Sequence, residues 1–302
     1  MAKIFITGIS GFIGRELARQ MTLAGHTVKG SSFTAASQNH IKCDIRKPAE
    51  ILAAITSAQP DIIIHAAALS SVTLGRTMDY YESNVLGTEN VIAAVNALGG
   101  RRRFVFISTA GVYGNQKVEV LTEDLSPLPV SHYGISKLVC ERMLANLADA
   151  HDITIIRPFN IIGSGQDKSF IVPKLVQHFA ERKPSVRLGN LDPVRDYIDV
   201  QTCCNIILQL TMAPASIGET VNLCAGTGTS VRELLAALTD LTHHSIEVIA
   251  APELMRKSEV WRLLGGATKL RRLLPQQISP RPFKDVLAEM LIEASVNNES
   301  VV

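Results

Sequence analysis

The chain has 302 residues, 46% of them hydrophobic, which is enough for a large α/β domain with a smaller lobe. Its 30 basic and 28 acidic side chains nearly balance, which argues against nucleic acid or a membrane surface as a partner. The only basic run, residues 101–103, is interpreted as a solvated turn. Five cysteines without C-x-x-C spacing predict buried, reduced thiols and no metal site. Without a long apolar run or a signal-peptide pattern, we expect a cytoplasmic protein.

The N-terminal stretch predicts a dinucleotide-binding turn. Residues 3–7 are typical of a strand, G-I-S-G-F-I-G follows without a gap, and an amphipathic helix comes next. Strand, glycine turn and helix in this order favour a dinucleotide site over an ordinary βα turn. Gly8 would let the chain turn, Gly11 would admit a pyrophosphate, and Gly14 would let the helix pack closely. The phosphates would then lie at the helix N-terminus.

The next two predicted strands bear on the choice of cofactor. Residues 30–32 read Gly-Ser-Ser, so no carboxylate is present to repel a 2′-phosphate; NADP(H) is favoured and NAD(H) stays possible. Arg15 opposes the dipole of the first helix, and a bound 2′-phosphate, Glu16 or solvent would compensate it. Asp44 would either accept a hydrogen bond from the adenine amino group or cap the helix that begins at Pro48.

Several small or polar residues follow the later predicted strands. DIIIHAAA has the continuous apolar run of a strand covered on both faces, and the alanines 66–68 at its end leave space for a cofactor. The long helix predicted over residues 79–98 carries Asn84, which would hold the neighbouring strand end or satisfy itself. RRFVFISTAGVYG predicts another strand that ends at Ser108 and Thr109. These strand ends would meet at one edge of the sheet.

Tyr133 and Lys137 form the predicted acid–base pair. They are four residues apart at the start of a helix-forming segment, so they would lie on one helix face. An ammonium beside the phenol favours the phenolate and would lower the pKa of Tyr133 from its usual value of about 10. Such a pair passes a proton to or from a carbonyl oxygen. An isolated Y-x-x-x-K is more often a surface coincidence, and here the glycine turn and the strand ends favour function.

Alternating strands and helices through residue 160 predict an α/β fold, a Rossmann-type doubly wound parallel sheet. The pattern then loosens, which predicts a smaller α/β substrate-binding lobe. We expect residues 1–162 with 190–223 to form the dinucleotide-binding domain. Residues 163–189 with 224–302 would form the second domain.

The motifs together resemble a known family. G-x-x-G-x-x-G, S-T-A-G-V-Y-G and Y-x-x-x-K occur in the order and spacing of the extended short-chain dehydrogenases/reductases, the NAD-dependent epimerase/dehydratase family, which act on nucleotide sugars. RPFNIIGSGQDKSFIVPKL, VRLGNLDPVRDYIDV, NLCAGTGTSVRELL and RKSEVWRLLGGATKL resemble the GDP-4-dehydro-6-deoxy-D-mannose reductases of GDP-rhamnose synthesis. The loop 161–165 lacks the proline usual in that family, and the segment after Leu274 lacks its Gly-Trp.

The resemblance implies roles for individual residues. Tyr133 would donate the proton, Lys137 would lower its pKa and hold the nicotinamide ribose, and Thr109 would bind the substrate oxygen. With the motifs, it gives a cofactor site of Gly8, Gly11, Phe12, Ile13, Gly14, Ser32, Asp44, Ile45, Ala66, Ala67, Ala68, Asn84, Ser108, Tyr133 and Lys137. The nucleotide sugar would contact Thr109, Asn160, Ser169, Lys174, Arg195, Arg256 and Glu259.

Arg195 matches a position that contacts the diphosphate, for which its planar fork of donors is suited. An ion pair with Asp196 or Asp199 is the competing interpretation. Arg256 and Glu259 match the segment that the related enzymes use around the guanosine ribose.

The predicted function is NAD(P)H-dependent reduction of GDP-4-dehydro-6-deoxy-D-mannose to GDP-D-rhamnose by a homodimer. A 4-epimerase, a reductase of a UDP or dTDP sugar, or formation of GDP-6-deoxy-D-talose remain alternatives, as does a non-catalytic dinucleotide sensor. Dehydration is disfavoured because Ala110 and Gly111 stand where dehydratases carry an acid and a base. By the same resemblance, the dimer would pack the helices of residues 79–98 and 133–150 against their copies.

Overall fold

The structure is a computed structural model, and it describes residues 1–34, 36–70, 76–255, 258–274 and 279–299. The strands are β1 (Lys3–Thr7), β2 (Thr27–Ser32), β3 (His40–Lys42), β4 (Ile62–His65), β5 (Arg103–Ile107), β6 (Asp152–Pro158), β7 (Asn160–Ile162), β8 (Ser185–Leu188), β9 (Val194–Asp199), β10 (Thr220–Leu223), β11 (Gly228–Ser230), β12 (Glu247–Ala250) and β13 (Arg262–Leu263).

The α-helices are α1 (Phe12–Leu23), α2 (Pro48–Ala58), α3 (Thr77–Tyr80), α4 (Gly87–Ala97), α5 (His132–Ala145), α6 (Ile171–Ala180), α7 (Val200–Met212), α8 (Val231–Thr242), α9 (Thr268–Leu273) and α10 (Phe283–Glu299). A π-helix, Tyr81–Leu86, joins α3 to α4, so the long helix predicted over residues 79–98 is interrupted. Three short 3-10 helices are Ala110–Val112, Pro214–Ser216 and Pro252–Leu254.

Seven parallel strands form the main sheet in the order β10-β6-β5-β4-β1-β2-β3. This confirms the predicted doubly wound fold. The strand order reverses between β1 and β4, and in such sheets the crevice at this reversal binds ligands at the carboxyl ends of the strands.

Both faces of the main sheet are covered. Ile4, Ile6 and Ile64 pack with α1 and α7 on one face, whereas Phe5 and Ile63 pack with α2, α4 and α5 on the other. Because successive side chains of a strand point to opposite faces, burial on both sides requires the unbroken apolar runs seen in β1 and β4.

The second half of the chain builds smaller sheets. Residues 160–162, predicted as loop, form β7 and pair in parallel with Tyr197–Asp199 of β9, beside β11 and β13. Helices α7 and α10 were not predicted from the sequence. Strand β10 belongs to the main sheet, whereas β9 belongs to a small one. The division into two domains at the stated boundaries stays a prediction.

The prediction for the basic run is partly wrong, and the prediction for the cysteines agrees with the structure. The solvated turn proposed for residues 101–103 is wrong for Arg103, whose guanidinium is partly buried and donates to Thr154, Ser216 and three backbone carbonyls. All five cysteines are buried and free, as predicted. Within the described ranges, no helix is both long and apolar enough to cross a membrane.

Candidate active site

The glycine turn between β1 and α1 has the geometry of a phosphate cradle. Gly8 has φ +71°, and a Cβ there would lie 2.8 Å from Cα of Ala67. A Cβ on Gly14 would lie 2.1 Å from the Gly8 carbonyl oxygen, so only glycine allows α1 to sit this close to the turn. At Gly11 a Cβ would approach only that same oxygen, at 3.2 Å, which leaves its outer side open. The turn therefore fits a dinucleotide pyrophosphate.

A buried histidine joins the ends of β1 and β4 to the π-helix. The Ala67 N–H donates to Thr7 Oγ1 at 3.1 Å, and Thr7 Oγ1 lies 2.6 Å from His65 Nδ1. His65 Nε2 lies 2.8 Å from Thr88 Oγ1, which donates to the Asn84 carbonyl at 2.5 Å. Since Thr88 uses its proton on that carbonyl, His65 must carry its own on Nε2 and accept at Nδ1. Burial lowers the pKa of His65 to about 3, which keeps the ring neutral.

Asn84 lies in the π-helix, a distortion often found at functional sites. Its side chain accepts from the Leu69 N–H at 2.8 Å and donates to the Leu69 carbonyl at 3.2 Å and to Ser136 Oγ at 2.9 Å. Of the two alternatives for Asn84, the structure therefore has the one in which it holds the chain after a strand end. Its contact with a cofactor stays a prediction.

The region where adenosine would bind contains an arginine that the sequence did not single out. The Asp44 carboxylate accepts from the Arg46 N–H and guanidinium at 2.7–3.0 Å. Lys47 is the N-cap of α2, so the proposal that Asp44 caps this helix is wrong. The Arg46 guanidinium lies 5.6 Å from the ring centroid of Phe33, which directly follows the buried Ser32 at the end of β2. Arg46 is thus a cation beside the end of β2, the region in which such folds bind the adenosine ribose.

Arg15 lies at the outer side of the first turn of α1. Its guanidinium donates to the Gly165 carbonyl at 3.2 Å. Glu16 pairs with Arg19 at 2.6 Å instead, so the suggestion that Glu16 compensates Arg15 is wrong. The 2′-phosphate and solvent remain as the other two alternatives for Arg15.

Tyr133 and Thr109 converge at the carboxyl end of β5. Ser131 caps α5 by accepting from Gly134, which places Tyr133 in the first turn. Burial raises the pKa of Tyr133 to about 12, and an interaction with the Thr109 side chain opposes this rise. The predicted lowering of this pKa by Lys137 is therefore wrong in this structure, because desolvation outweighs any stabilisation of the phenolate. At pH 7 the phenol is protonated.

Lys137 is one helical turn further along α5 and is only 2% exposed. Its Nζ lies 4.2 Å from the ring centroid of Phe106. Burial lowers the pKa of Lys137 to about 8, and Cys140 and Glu141 oppose the shift. At pH 7 the side chain is thus still mainly an ammonium, the form that stabilises a neighbouring phenolate.

Two buried acceptors lie in β7 and just after it. Asn160 Oδ1 and Gln166 Oε1 are buried and have no hydrogen-bond partner among the described residues. The Nε2 of Gln166 donates to the Ile161 carbonyl at 2.9 Å, which fixes the orientation of its amide. An unpaired buried acceptor costs about 1–3 kcal/mol, and a donor on a ligand would remove that cost. Gln166 was not predicted, since a lone glutamine in a loop carries no sequence signature.

Arg195 pairs with Glu259 at 3.2 Å and donates to the Val260 carbonyl at 2.7 Å. The ion pair considered with Asp196 or Asp199 is wrong. The Asp196 carboxylate accepts three backbone N–H groups, and Asp199 caps α7 by accepting from Thr202. The structure thus brings together two residues that were both predicted to contact the nucleotide, Arg195 and Glu259.

The remaining predicted residues are more scattered, and their roles stay predictions. Ser169 is exposed in the loop before α6, and the Lys174 Nζ lies 3.4 Å from the Arg187 carbonyl. Arg256 lies outside the described residues. Ser108 is buried and donates to Glu141. Five predicted cofactor contacts are partly exposed at strand or helix ends: Phe12, Ile13, Ile45, Ala66 and Ala68.

The fold and this crevice define a dinucleotide-binding enzyme, and comparison with known proteins gives its family. The model described as "NAD dependent epimerase/dehydratase family" matches residues 4–224, and the chain belongs to this family. The predicted enzyme class, a nicotinamide-dependent oxidoreductase of this family, is confirmed.

Three relatives illustrate the similarity. The chain is 33% identical to the GDP-6-deoxy-D-talose 4-dehydrogenase of Aggregatibacter actinomycetemcomitans, over 97% of this chain and 100% of that protein. It is 30% identical to the GDP-6-deoxy-D-mannose reductase of Pseudomonas aeruginosa, over 89% of each. The solved structure of RMD from Pseudomonas aeruginosa complexed with NADPH has a TM-score of 0.84 and 26% identity, covering 98% of this chain and all of that one.

Proposed function

We propose that the protein reduces the C4 ketone of a GDP-linked 4-keto-6-deoxyhexose. One observation carries the proposal: a protonated phenol, Tyr133, interacts with the Thr109 side chain at a strand end, and the buried cation of Lys137 lies one helical turn away. Reduction of a ketone needs a proton donor for the oxygen, and this phenol is in the donor form at neutral pH.

The residues have separate tasks in this reaction. Thr109 and Tyr133 hold the ketone oxygen, and Tyr133 gives it a proton. When bound, the reduced nicotinamide supplies the hydride for C4. The Lys137 ammonium stabilises the phenolate that Tyr133 becomes. At neutral pH Tyr133 is in the protonated form from which the reduction starts.

The relatives support the guanine base and bear on the product. The two curated relatives described above are named for GDP-linked 6-deoxyhexoses. Of these two, the talose enzyme is matched over its full length, which favours GDP-6-deoxy-D-talose as the product. GDP-D-rhamnose, its C4 epimer and the product expected from the sequence motifs, is the second candidate, supported by the mannose reductase.

Arg46 supports NADPH as the preferred cofactor. Its guanidinium is beside Phe33, just after the end of β2, residues 30–32 include no acid, and the carboxylate that Arg46 binds is that of Asp44. Arg46→Leu should raise the KM for NADPH about tenfold, the effect of about 1.4 kcal/mol, and leave that for NADH unchanged. Arg19→Leu is the matched control, since Arg19 is also partly exposed and paired with a neighbouring acid. Equal effects of Arg46→Leu on both cofactors would contradict the assignment.

A homodimer through α5 and the α3–α4 region is part of the proposal. Met78, Leu86 and Val139 are apolar and exposed on these helices. Leu86→Glu should convert the protein to a monomer in light scattering, and an unchanged mass would argue against this interface.

The test of the proposed function is NADPH oxidation with the 4-keto-6-deoxy sugar presented on GDP, UDP and dTDP. We expect stoichiometric NADPH consumption with the GDP sugar and a product whose C4 configuration is read by NMR. Turnover of a 4-hydroxy sugar without net NADPH consumption would indicate a 4-epimerase instead. No turnover with any of the three sugars would overturn the proposal.

A further inference from the structure

A buried ion pair joins α5, the helix that carries Tyr133, to strand β6. The Arg157 Nη2 and Nε donate to the two oxygens of Glu141 at 2.7 and 3.0 Å, and the two side chains are only 7% and 5% exposed. Taking two charges out of water costs several kcal/mol each, so a buried pair is weak evidence for stability alone. Its position next to the crevice suggests a functional reason for keeping the charges.

Glu141 also binds the strand end that carries Thr109. The Ser108 hydroxyl donates to Glu141 Oε1 at 2.5 Å, and the Ser108 N–H donates to the Ile156 carbonyl at 2.7 Å. The hydroxyl and the N–H of Ser108 are therefore both held by hydrogen bonds. Because Thr109 is the next residue, the carboxylate limits where its hydroxyl lies relative to Tyr133.

Glu141 is in addition four residues after Lys137, so the two side chains share one face of α5. The titratable groups that act on Lys137 are Cys140 and Glu141 from its own helix and His65 from β4. Burial raises the pKa of the Cys140 thiol, so it is uncharged near neutral pH, and His65 is neutral for the reason given above. Glu141 is the carboxylate in this group, and it opposes the desolvation of the ammonium.

We propose that Glu141 is a positioning residue for the proposed reduction: it fixes Ser108, and with it Thr109, and it supplies the counter-charge that keeps Lys137 an ammonium. Arg157 holds both carboxylate oxygens of Glu141 in this buried setting. The inference rests on the proposed function for its kinetic consequences, but the charge effect on Lys137 exists without any substrate.

Glu141→Gln tests the charge. Removing the anion takes away a charge that favours the ammonium of Lys137. We expect the alkaline limb of the kcat/KM profile to move to lower pH by about one unit, which is about a tenfold loss of rate on that limb. The titration of Lys137 followed by ¹³Cε NMR without substrate should move by the same amount.

Tyr113→Phe is the matched control. The Tyr113 hydroxyl accepts from Arg157 Nη1 at 3.0 Å and donates to Asn222 at 2.7 Å, so it belongs to the same buried network but bears no charge and does not contact Ser108. We expect this variant to lose stability with its pH profile unchanged. Equal shifts in Tyr113→Phe and Glu141→Gln, or no shift in Glu141→Gln, would overturn the proposal.

Glu141→Asp separates the two tasks and keeps the proposal testable if Glu141→Gln does not fold. The shorter carboxylate keeps its charge but withdraws from Ser108. We expect kcat to fall about tenfold, consistent with slight misplacement of a group at the site, with the Lys137 titration unchanged. A normal kcat in this variant would refute the positioning of Thr109. If Glu141→Gln shifts the Lys137 titration in the NMR experiment but the wild-type protein reduces no sugar, the proposed function fails and the charge effect stands.

Discussion

The two sides of the crevice differ in how their buried histidine and amide side chains are satisfied, although Ser31 Oγ at the end of β2 also lacks a partner among the described residues. Behind the glycine turn, the hydrogen bonds that run through His65 leave each of its ring nitrogens with a partner. On the opposite side, Asn160 Oδ1 and Gln166 Oε1 have none among the described residues, and Arg195 is occupied by Glu259. We infer that the cofactor side is preorganised, whereas the substrate side is completed by its ligand. Preorganisation reduces the cost of binding, and unmet acceptors select a ligand with matching donors.

The substitution with the largest expected effect concerns Tyr133, which lies where the two sides of the crevice meet. Tyr133→Phe removes one hydroxyl and should lower kcat by about 10²–10⁴-fold, the usual contribution of a general acid. The Kd for the dinucleotide should stay within about twofold, because the preorganised side is untouched. Tyr81→Phe is the control, since it deletes an exposed hydroxyl that lies 2.9 Å from His132. If Tyr133→Phe keeps a tenth of the rate, Tyr133 is not the acid.

Low pH should destabilise the cofactor side of the crevice. The pKa of His65 is about 3 in the folded protein against 6.5 unfolded, so the unfolded chain binds the proton more readily. The contribution of the neutral ring to the free energy of unfolding is fully present above pH 6.5 and is lost as the pH falls toward 3. The loss in the free energy of unfolding would be at most ~5 kcal/mol, from about 1.4 kcal/mol per pKa unit.

His65→Gln isolates this contribution from the titration of carboxylates. Glutamine can accept from Thr7 and donate to Thr88 but does not titrate. Urea unfolding between pH 7 and 4 should show a shallower loss of stability for the variant than for the wild type. Identical slopes, or an imidazole that titrates above pH 5 by NMR, would contradict the neutral histidine.

Arg195→Ala should weaken the substrate side alone. It removes the donor that is proposed to bind a diphosphate and leaves Glu259, 12% exposed, without its cation. We expect the Kd for GDP to rise about 10–100-fold by calorimetry, or about 1.4–2.8 kcal/mol, with NADPH affinity unchanged. Arg232→Ala, which breaks an exposed pair with Asp192, should change neither. Equal losses for GDP and NADPH would mean that the two sides are not independent.

The features that the sequence predicted correctly depend on residues that are close together in the chain. The β1 strand, the glycine turn and the position of Tyr133 in the first turn of α5 follow from spacing within a dozen residues or fewer, and the structure has all three. The partner of Arg195 could not be predicted, because Glu259 is 64 residues away and joins it only through the small sheet. The pKa of Tyr133 was misjudged for a related reason: desolvation depends on what the whole fold places around a group.

The smallest expected effect decides whether the substrate side is completed by the sugar nucleotide. Gln166→Met keeps the length of the side chain and removes its unpaired Oε1 together with the hydrogen bond to Ile161. If a ligand donor satisfies that oxygen, the KM for the nucleotide sugar should rise about three- to tenfold, the equivalent of one hydrogen bond of 0.5–1.5 kcal/mol. The temperature of unfolding without ligand should change little, because a lost hydrogen bond is offset by the loss of an unmet acceptor. An unchanged KM with a higher unfolding temperature would show that Gln166 does not face the ligand. Asn160 Oδ1 in β7 would then be the remaining unmet acceptor, among the described residues, with a proposed partner in the sugar.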